Sequence, residues 1–147
     1  MSNTNEMIVE FNSVAQNESF ARMVVAAFIT GTNPTLEELS DIKTAVSEAV
    51  TNSIIHGYDK KDGMIRIKAK VRNRHIYIEV IDNGIGIEDV KRAMEPMFTT
   101  RKDEDRSGMG FSFMEAFMDG IEVESVYGEG TTVKMWKEIG VDKHHFM

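Results

Sequence analysis

Glu48, Asn52 and His56 follow one another at four-residue intervals, so a helix through them puts all three on one strip. A carboxylate in that strip can accept a proton, and a carboxamide oxygen one turn on can hold a hard cation. One neutral amide is a poor Mg²⁺ site unaided. It becomes adequate when phosphate oxygens and waters complete the octahedron, as is usual for nucleotide-bound Mg²⁺. The same spacing describes a solvated polar helix face, and on its own does not choose between the two. Asp82-x-Gly84-x-Gly86 closes an alternating apolar run. Its carboxylate can accept a hydrogen bond from an exocyclic amine, while its glycines let the backbone approach a flat ring. Asp and Gly are also ordinary turn residues. Arg106-Ser107-Gly108-Met109-Gly110 opens a helix. Free N–H groups at a glycine-rich helix start form an anion site, and Arg106 adds a charge able to reach a terminal phosphate. A plain flexible loop can have the same residues. Thr131-Thr132, after Gly130, adds hydroxyls, although threonine is equally at home in any strand.

Composition removes several other chemistries. The chain of 147 residues has 0 cysteines, so disulfides, thiolate metal sites and cysteine nucleophiles are absent. It carries 17 Lys and Arg against 24 Asp and Glu, a formal net charge of -7, and a pI near 5.1. That balance opposes a general grip on nucleic acid or an anionic membrane, which needs clustered positive charge. With 41% hydrophobic and 28% charged residues it reads as a folded globule. The 11 methionines read as adaptable core filler. Apolar runs such as Val24 to Ile29 are too short to span a bilayer, and the polar opening Met1-Ser2-Asn3-Thr4-Asn5 is unlike a signal peptide, so a cytoplasmic protein is expected. No P-loop or Gly-x-Gly-x-x-Gly fingerprint is present. His144-His145 belongs to a tail expected to fray.

The chemistry-bearing residues need a scaffold, and hydrophobic periodicity outlines one. Glu6 to Phe11 predicts a first strand, and Asn17 to Thr30 a helix ended by Gly31. Asn33-Pro34 reads as a cap followed by proline at the first helical position. Leu36, Leu39, Ile42, Val46, Val50 and Ile54 then carry a second helix to His56 and Gly57. Beyond Asp62-Gly63 the period changes to two. Ile65 to Val71 and Ile76 to Val80 form an antiparallel pair about a tight turn at Arg72-Asn73. A short helix over Glu88 to Met94, a long polar lid from Glu95 to Gly110 and a helix over Phe111 to Met118 follow. A closing hairpin runs from Ile121 to Val126 and from Thr131 to Trp136. The expectation is one domain over residues 1–147, α+β in class. It is a two-layer sandwich with a mostly antiparallel sheet and helices on one face.

The order of these features resembles the ATP-binding fold shared by gyrase, heat-shock chaperone, histidine kinase and mismatch-repair ATPases, the Bergerat type. The features are a helix with Glu48-x-x-x-Asn52, a strand ending in Asp82-x-Gly84-x-Gly86, a lid, and Gly108-x-Gly110 opening a helix. Ser47-Glu48-Ala49-Val50-Thr51-Asn52-Ser53-Ile54-Ile55-His56-Gly57-Tyr58 is similar to the serine-kinase branch of bacterial anti-sigma factors. So are Gln16 to Arg22, Phe98-Thr99-Thr100 and Arg106 to Phe111. Arg101 departs from the Lys that more commonly follows the threonine pair, with charge kept; the tail after Trp136 matches least.

The resemblance implies a general base at Glu48 and a Mg²⁺ ligand at Asn52. It implies that Asp82 accepts from the adenine amino group, with Thr131 nearby, and that Gly84, Gly86, Gly108 and Gly110 line base and phosphates. Thr99, Thr100, Arg106, Ser107 and Met109 fall in the nucleotide-binding lid, and Arg22 at a surface that meets protein partners. The implied protein is a homodimer that binds ATP or ADP with Mg²⁺. It holds a sporulation sigma factor inactive and phosphorylates a serine of its anti-anti-sigma antagonist. Two other readings stay open on the residues alone. One is the catalytic half of a histidine kinase, which would need a second chain, because no histidine precedes His56. The other is a nucleotide sensor without phosphotransfer, for which a base at Glu48 would be superfluous.

Overall fold

A computed structural model describes residues 4–59, 61–95 and 110–140. The strands are β1 (Thr4–Asn12), β2 (Met64–Arg72), β3 (His75–Asp82), β4 (Gly120–Val126) and β5 (Gly130–Glu138). They form one antiparallel sheet in the order β1-β2-β3-β5-β4. The helices are α1 (Asn17–Ile29), α2 (Leu36–Asn52), the single turn α3 (Val90–Ala93) and α4 (Gly110–Phe117). The α+β sandwich expected from the periodicity is the one observed.

Period-two alternation explains which face of the sheet is covered. Ile65 and Ile67 of β2, Ile76, Ile78 and Val80 of β3, and Val133 and Met135 of β5 all point inward and are buried. They meet Val25 and Ile29 of α1, Ile42, Val46 and Val50 of α2, and Met114 of α4 in one apolar core. Each fully buried aliphatic side chain contributes roughly 1.5–3 kcal/mol, so these stripes dominate the energetics of the layer contact. The opposite face carries Arg66, Lys70, Tyr77 and Trp136, all exposed. None of the helices among the described residues is long and apolar enough to cross a membrane.

Four local expectations need correction. The cap of α2 is Thr35, not Asn33: its hydroxyl accepts from the Glu38 amide at 3.0 Å, and Glu38 accepts from the Thr35 amide at 2.9 Å. This reciprocal box satisfies two donors at the helix start, which one Asn before a proline does not. Asn33 instead takes the left-handed region, φ 57°, and closes the short helical turn Thr30–Thr32. The β2–β3 turn is centred on Asn73-Arg74, since Arg72 pairs with His75, and Asn73 has φ 56°. Asn tolerates that region better than a charged long side chain does, which moves the turn by one residue. Finally, α2 ends at Asn52 and continues as a π-helical turn, Ser53–Gly57, in which the Tyr58 amide bonds the Ser53 carbonyl at 2.9 Å. Strand β1 is also longer than expected at both ends, because it pairs with β2 along the whole of Thr4–Asn12.

Candidate functional site

The C-terminal end of α2, the loop after β3 and the start of β5 meet at a cavity of about 740 Å³. That is within the usual range for a small-molecule site. Its walls include Asn52, Ser53 and His56 from the end of α2 and its π turn, Asp82 and Gly86 from the β3 loop, and Thr131 from β5. Apolar surface comes from Ile85, Ile87, Phe111, Tyr127 and Val133, and Arg92 contributes from α3. Polar groups set among apolar side chains suit a flat heteroaromatic ring with one hydrogen-bonding edge.

The π turn is what brings these pieces together. A π turn accommodates one extra residue and recurs at functional sites. Here it turns the Gly57 carbonyl toward the Ile85 amide, which donates to it at 2.8 Å. No side chain fits at this junction. A Cβ on Gly57 would stand 2.9 Å from the Asp82 carboxylate, and one on Gly84 would run into the Gly57 carbonyl. Tyr58 adds a second tie: its hydroxyl donates to the Met64 carbonyl at 2.6 Å and accepts from the Asn83 amide at 2.7 Å.

Asp82 ends β3 opposite Thr131 of β5 and is 4% exposed. One carboxylate oxygen accepts from the Ser53 hydroxyl at 2.8 Å and the other from the Gly84 amide at 3.0 Å. Burial raises its pKa above the ordinary value, while the Gly84 amide, the Ser53 hydroxyl and the Thr131 backbone pull it back. Thr131 shares a 2.9 Å contact with the Ser125 hydroxyl, which also accepts from the Ile87 amide at 2.7 Å. Gly86 has φ 76°, and a Cβ there would collide with the Val126 carbonyl, so the loop needs glycine on two counts.

The structure thus gathers Asn52, Asp82, Gly86 and Thr131 around one cavity. Gly84 serves from behind, through its amide on Asp82. Gly110 begins α4 directly against the Asn52 side chain. Glu48 is not among the cavity-lining residues, yet it is only 4% exposed, one turn before Asn52 on α2. The strip is therefore no solvated face: its first member is buried. Arg22 is half-buried on α1, is not among these walls, and is paired with Glu18 at 3.2 Å. Thr99, Thr100, Arg106, Ser107, Gly108 and Met109 lie outside the described residues. Sequence reasoning overlooked Ser53, Tyr58, Ser125 and Arg92. Ser53 directly follows Asn52 and Tyr58 directly follows Gly57, but nothing in their spacing shows which loop they face.

The Histidine kinase-like ATPase domain family matches residues 12–137. The chain is 61% identical over 143 residues to the anti-sigma F factor of Thermoanaerobacter sp. strain X514, covering 97% of this chain and 100% of that one. Among solved structures it is similar to the RsbU and RsbW domains of a Mycobacterium tuberculosis protein. There the TM-score is 0.67 at 18% identity, over 92% of this chain and 32% of that one. The catalytic domain of histidine kinase ThkA gives a TM-score of 0.56 at 17% identity, over 90% and 96% of the two chains. Those two likenesses establish the fold, and the high identity over nearly the whole length narrows it further. The family match over residues 12–137, with 61% identity along nearly the whole of a curated relative, places this chain in the anti-sigma F factor family, built on the histidine kinase-like ATPase domain.

Proposed function

We propose that this chain holds a sporulation sigma factor inactive and uses Mg·ATP to phosphorylate a serine on the antagonist that releases it. The observation carrying this reading is that Asn52, Asp82, Gly86 and Thr131, distant in sequence, line one cavity of nucleotide size in a chain of this family. We further propose that it works as a cytoplasmic homodimer, with protein partners and no direct contact to nucleic acid or membrane. Its acidic balance fits partners of that kind.

In this mechanism the Asp82 carboxylate accepts from the adenine amino group, and Ile85 and the Gly86 backbone lie along the ring. ADP is held by the same contacts. The phosphates extend toward Asn52 and the start of α4 at Gly110. Phosphate contacts are assigned to Arg106, Ser107, Gly108 and Met109, which precede Gly110 in the sequence, and a nucleotide-binding role to Thr99 and Thr100. The Asn52 carboxamide fits a hard cation shared with phosphate oxygens, because it lies at the cavity wall beside a helix start that favours anions. A Mg²⁺ held by Asn52 would supply charge neutralisation to the phosphates. The antagonist's serine oxygen attacks the γ-phosphorus, the bond from that phosphorus to the β–γ bridging oxygen breaks, and Glu48 accepts the hydroxyl proton.

The test is to incubate purified protein, Mg·ATP and the small antagonist protein of the same bacterium, then map the product by mass spectrometry. Phosphoserine is expected. Phosphohistidine, or no phosphoprotein alongside normal ATP binding, overturns the kinase reading. Retained sigma-factor binding in the same preparation would leave an inhibitor without phosphotransfer.

A further inference from the structure

We infer that Ser53 is a positioning residue that makes Asp82 selective for the amino group of adenine. The inference rests on the nucleotide-binding reading above and assigns a role to a residue that the motif pattern leaves unused. Ser53 is 4% exposed, lines the cavity, and donates to one oxygen of Asp82 at 2.8 Å. The Gly84 amide donates to the other oxygen at 3.0 Å. A carboxylate on a β-strand end is free to rotate about its last bond, and each rotamer points its lone pairs elsewhere. Anchoring one oxygen to a side chain and the other to the backbone removes that freedom. What remains for a ligand is acceptor capacity alone: the unused lone pairs of Asp82, and those of a Ser53 oxygen whose proton is already committed. A purine edge presenting an N–H donor is favoured, and one lacking it leaves buried acceptors unpaired, at a cost larger than the gain of making the bond.

The backbone around Ser53 supports such a role. Ser53 opens the π turn, and the turn is tied to the Asp82 loop at two further points, Ile85 amide to Gly57 carbonyl and Asn83 amide to Tyr58 hydroxyl. Turn and loop are so close that neither Gly57 nor Gly84 has room for a side chain. Asp82 and Ser53 are thus fixed relative to each other by main chain on both sides. A hydroxyl held that firmly can direct its partner, since little ordering is left to be lost on binding.

The experiment compares affinities for ATP and for the triphosphate of purine riboside, which lacks the 6-amino group, by calorimetry on the full chain. The parent should prefer ATP by roughly tenfold or more, the range for a hydrogen bond to a charged group. Ser53→Ala should bring that ratio close to one, chiefly by weakening ATP, and Ser53→Thr should restore it. A role confined to stability would weaken both nucleotides together, so an unchanged ratio in Ser53→Ala overturns the inference. A parent with no preference overturns the reading of Asp82 itself, and the inference with it. Should Ser53→Ala not fold, Ser53→Cys keeps the shape with a far weaker donor and reads the same ratio.

Discussion

A Cβ at Gly110 would stand 2.9 Å from Nδ2 of Asn52 and 3.2 Å from its Oδ1, so the first residue of α4 leaves the Asn52 carboxamide in place only by having no side chain. The start of α4 and the proposed cation ligand therefore share one small space. Gly110→Ala should fold, because the end of a side chain can move aside, but Asn52 would leave its position. Mg·ATP affinity should drop by about tenfold or more, while Asn52→Ala abolishes it, since the phosphates then face Glu48 unscreened. Calorimetric titration with Mg·ATP, alongside thermal unfolding, checks both. A Gly110→Ala variant with parental affinity would separate the two residues.

Replacing Glu48 with glutamine should separate catalysis from binding. The amide keeps the size of the buried side chain and can hydrogen-bond the substrate hydroxyl, but cannot take its proton. Loss of a general base costs about 10²–10⁴ in rate. Phosphoryl transfer relies mainly on positioning and charge, which puts the expected loss toward the low end. ATP and sigma-factor binding should persist, giving an inhibitor that cannot inactivate its antagonist. Single-turnover phosphorylation within about threefold of the parent would make Glu48 a structural neighbour of Asn52 instead.

Asp82→Asn should cost function without costing stability. A folded-state pKa raised above the ordinary 3.8 means the folded protein holds this proton more tightly than the unfolded chain does. The resulting stabilisation is complete below the unfolded value and is lost as pH rises through the folded one. Ionised Asp82 is thus a burden on the fold at neutral pH. The variant should unfold no earlier than the parent at pH 7, and the parent should gain on it as pH falls toward 4. Its nucleotide affinity should fall by roughly ten- to hundredfold, the size of a lost hydrogen bond to a charged acceptor. Paired melting curves at pH 7, 5 and 4 decide the matter, and a variant several degrees less stable at pH 7 would show the carboxylate to be structural.

Arg22→Ala is expected to spare nucleotide binding and weaken both protein partners. The guanidinium is half-exposed on α1, held by Glu18 at 3.2 Å and by the Ser19 hydroxyl at 3.2 Å. Phe20 and Met23 beside it are 45% and 67% exposed, and arginine next to exposed apolar side chains is a common interface arrangement. A loss of about tenfold or more in affinity for each partner, measured by surface-immobilised binding, is the expected result. Unchanged affinities would place the interface elsewhere.

Much of the molecule was determined by the sequence alone. The change from helical to alternating periodicity at Gly63 marks where α2 and its π turn give way to β2 and β3, because apolar stripes with different periods cannot be exchanged without exposing one of them. Glu48, Asn52, Asp82 and the glycines around them stand out as candidates because proton transfer, cation binding, amine recognition and close backbone approach would each demand a particular residue type. Tertiary structure decided the rest. Whether Asn33 or Thr35 caps α2 depended on the reciprocal bonds between Thr35 and Glu38. Whether α2 ran straight through His56 depended on Gly57 and Tyr58 docking onto the Asp82 loop, a contact between segments about 25 residues apart. Above all, Ser53 is chemically unremarkable in the sequence and becomes part of the site only because the π turn brings it 2.8 Å from Asp82. Residue types and spacings report local preference; which buried donor meets which acceptor is set by packing at long range, and no short window of sequence contains it.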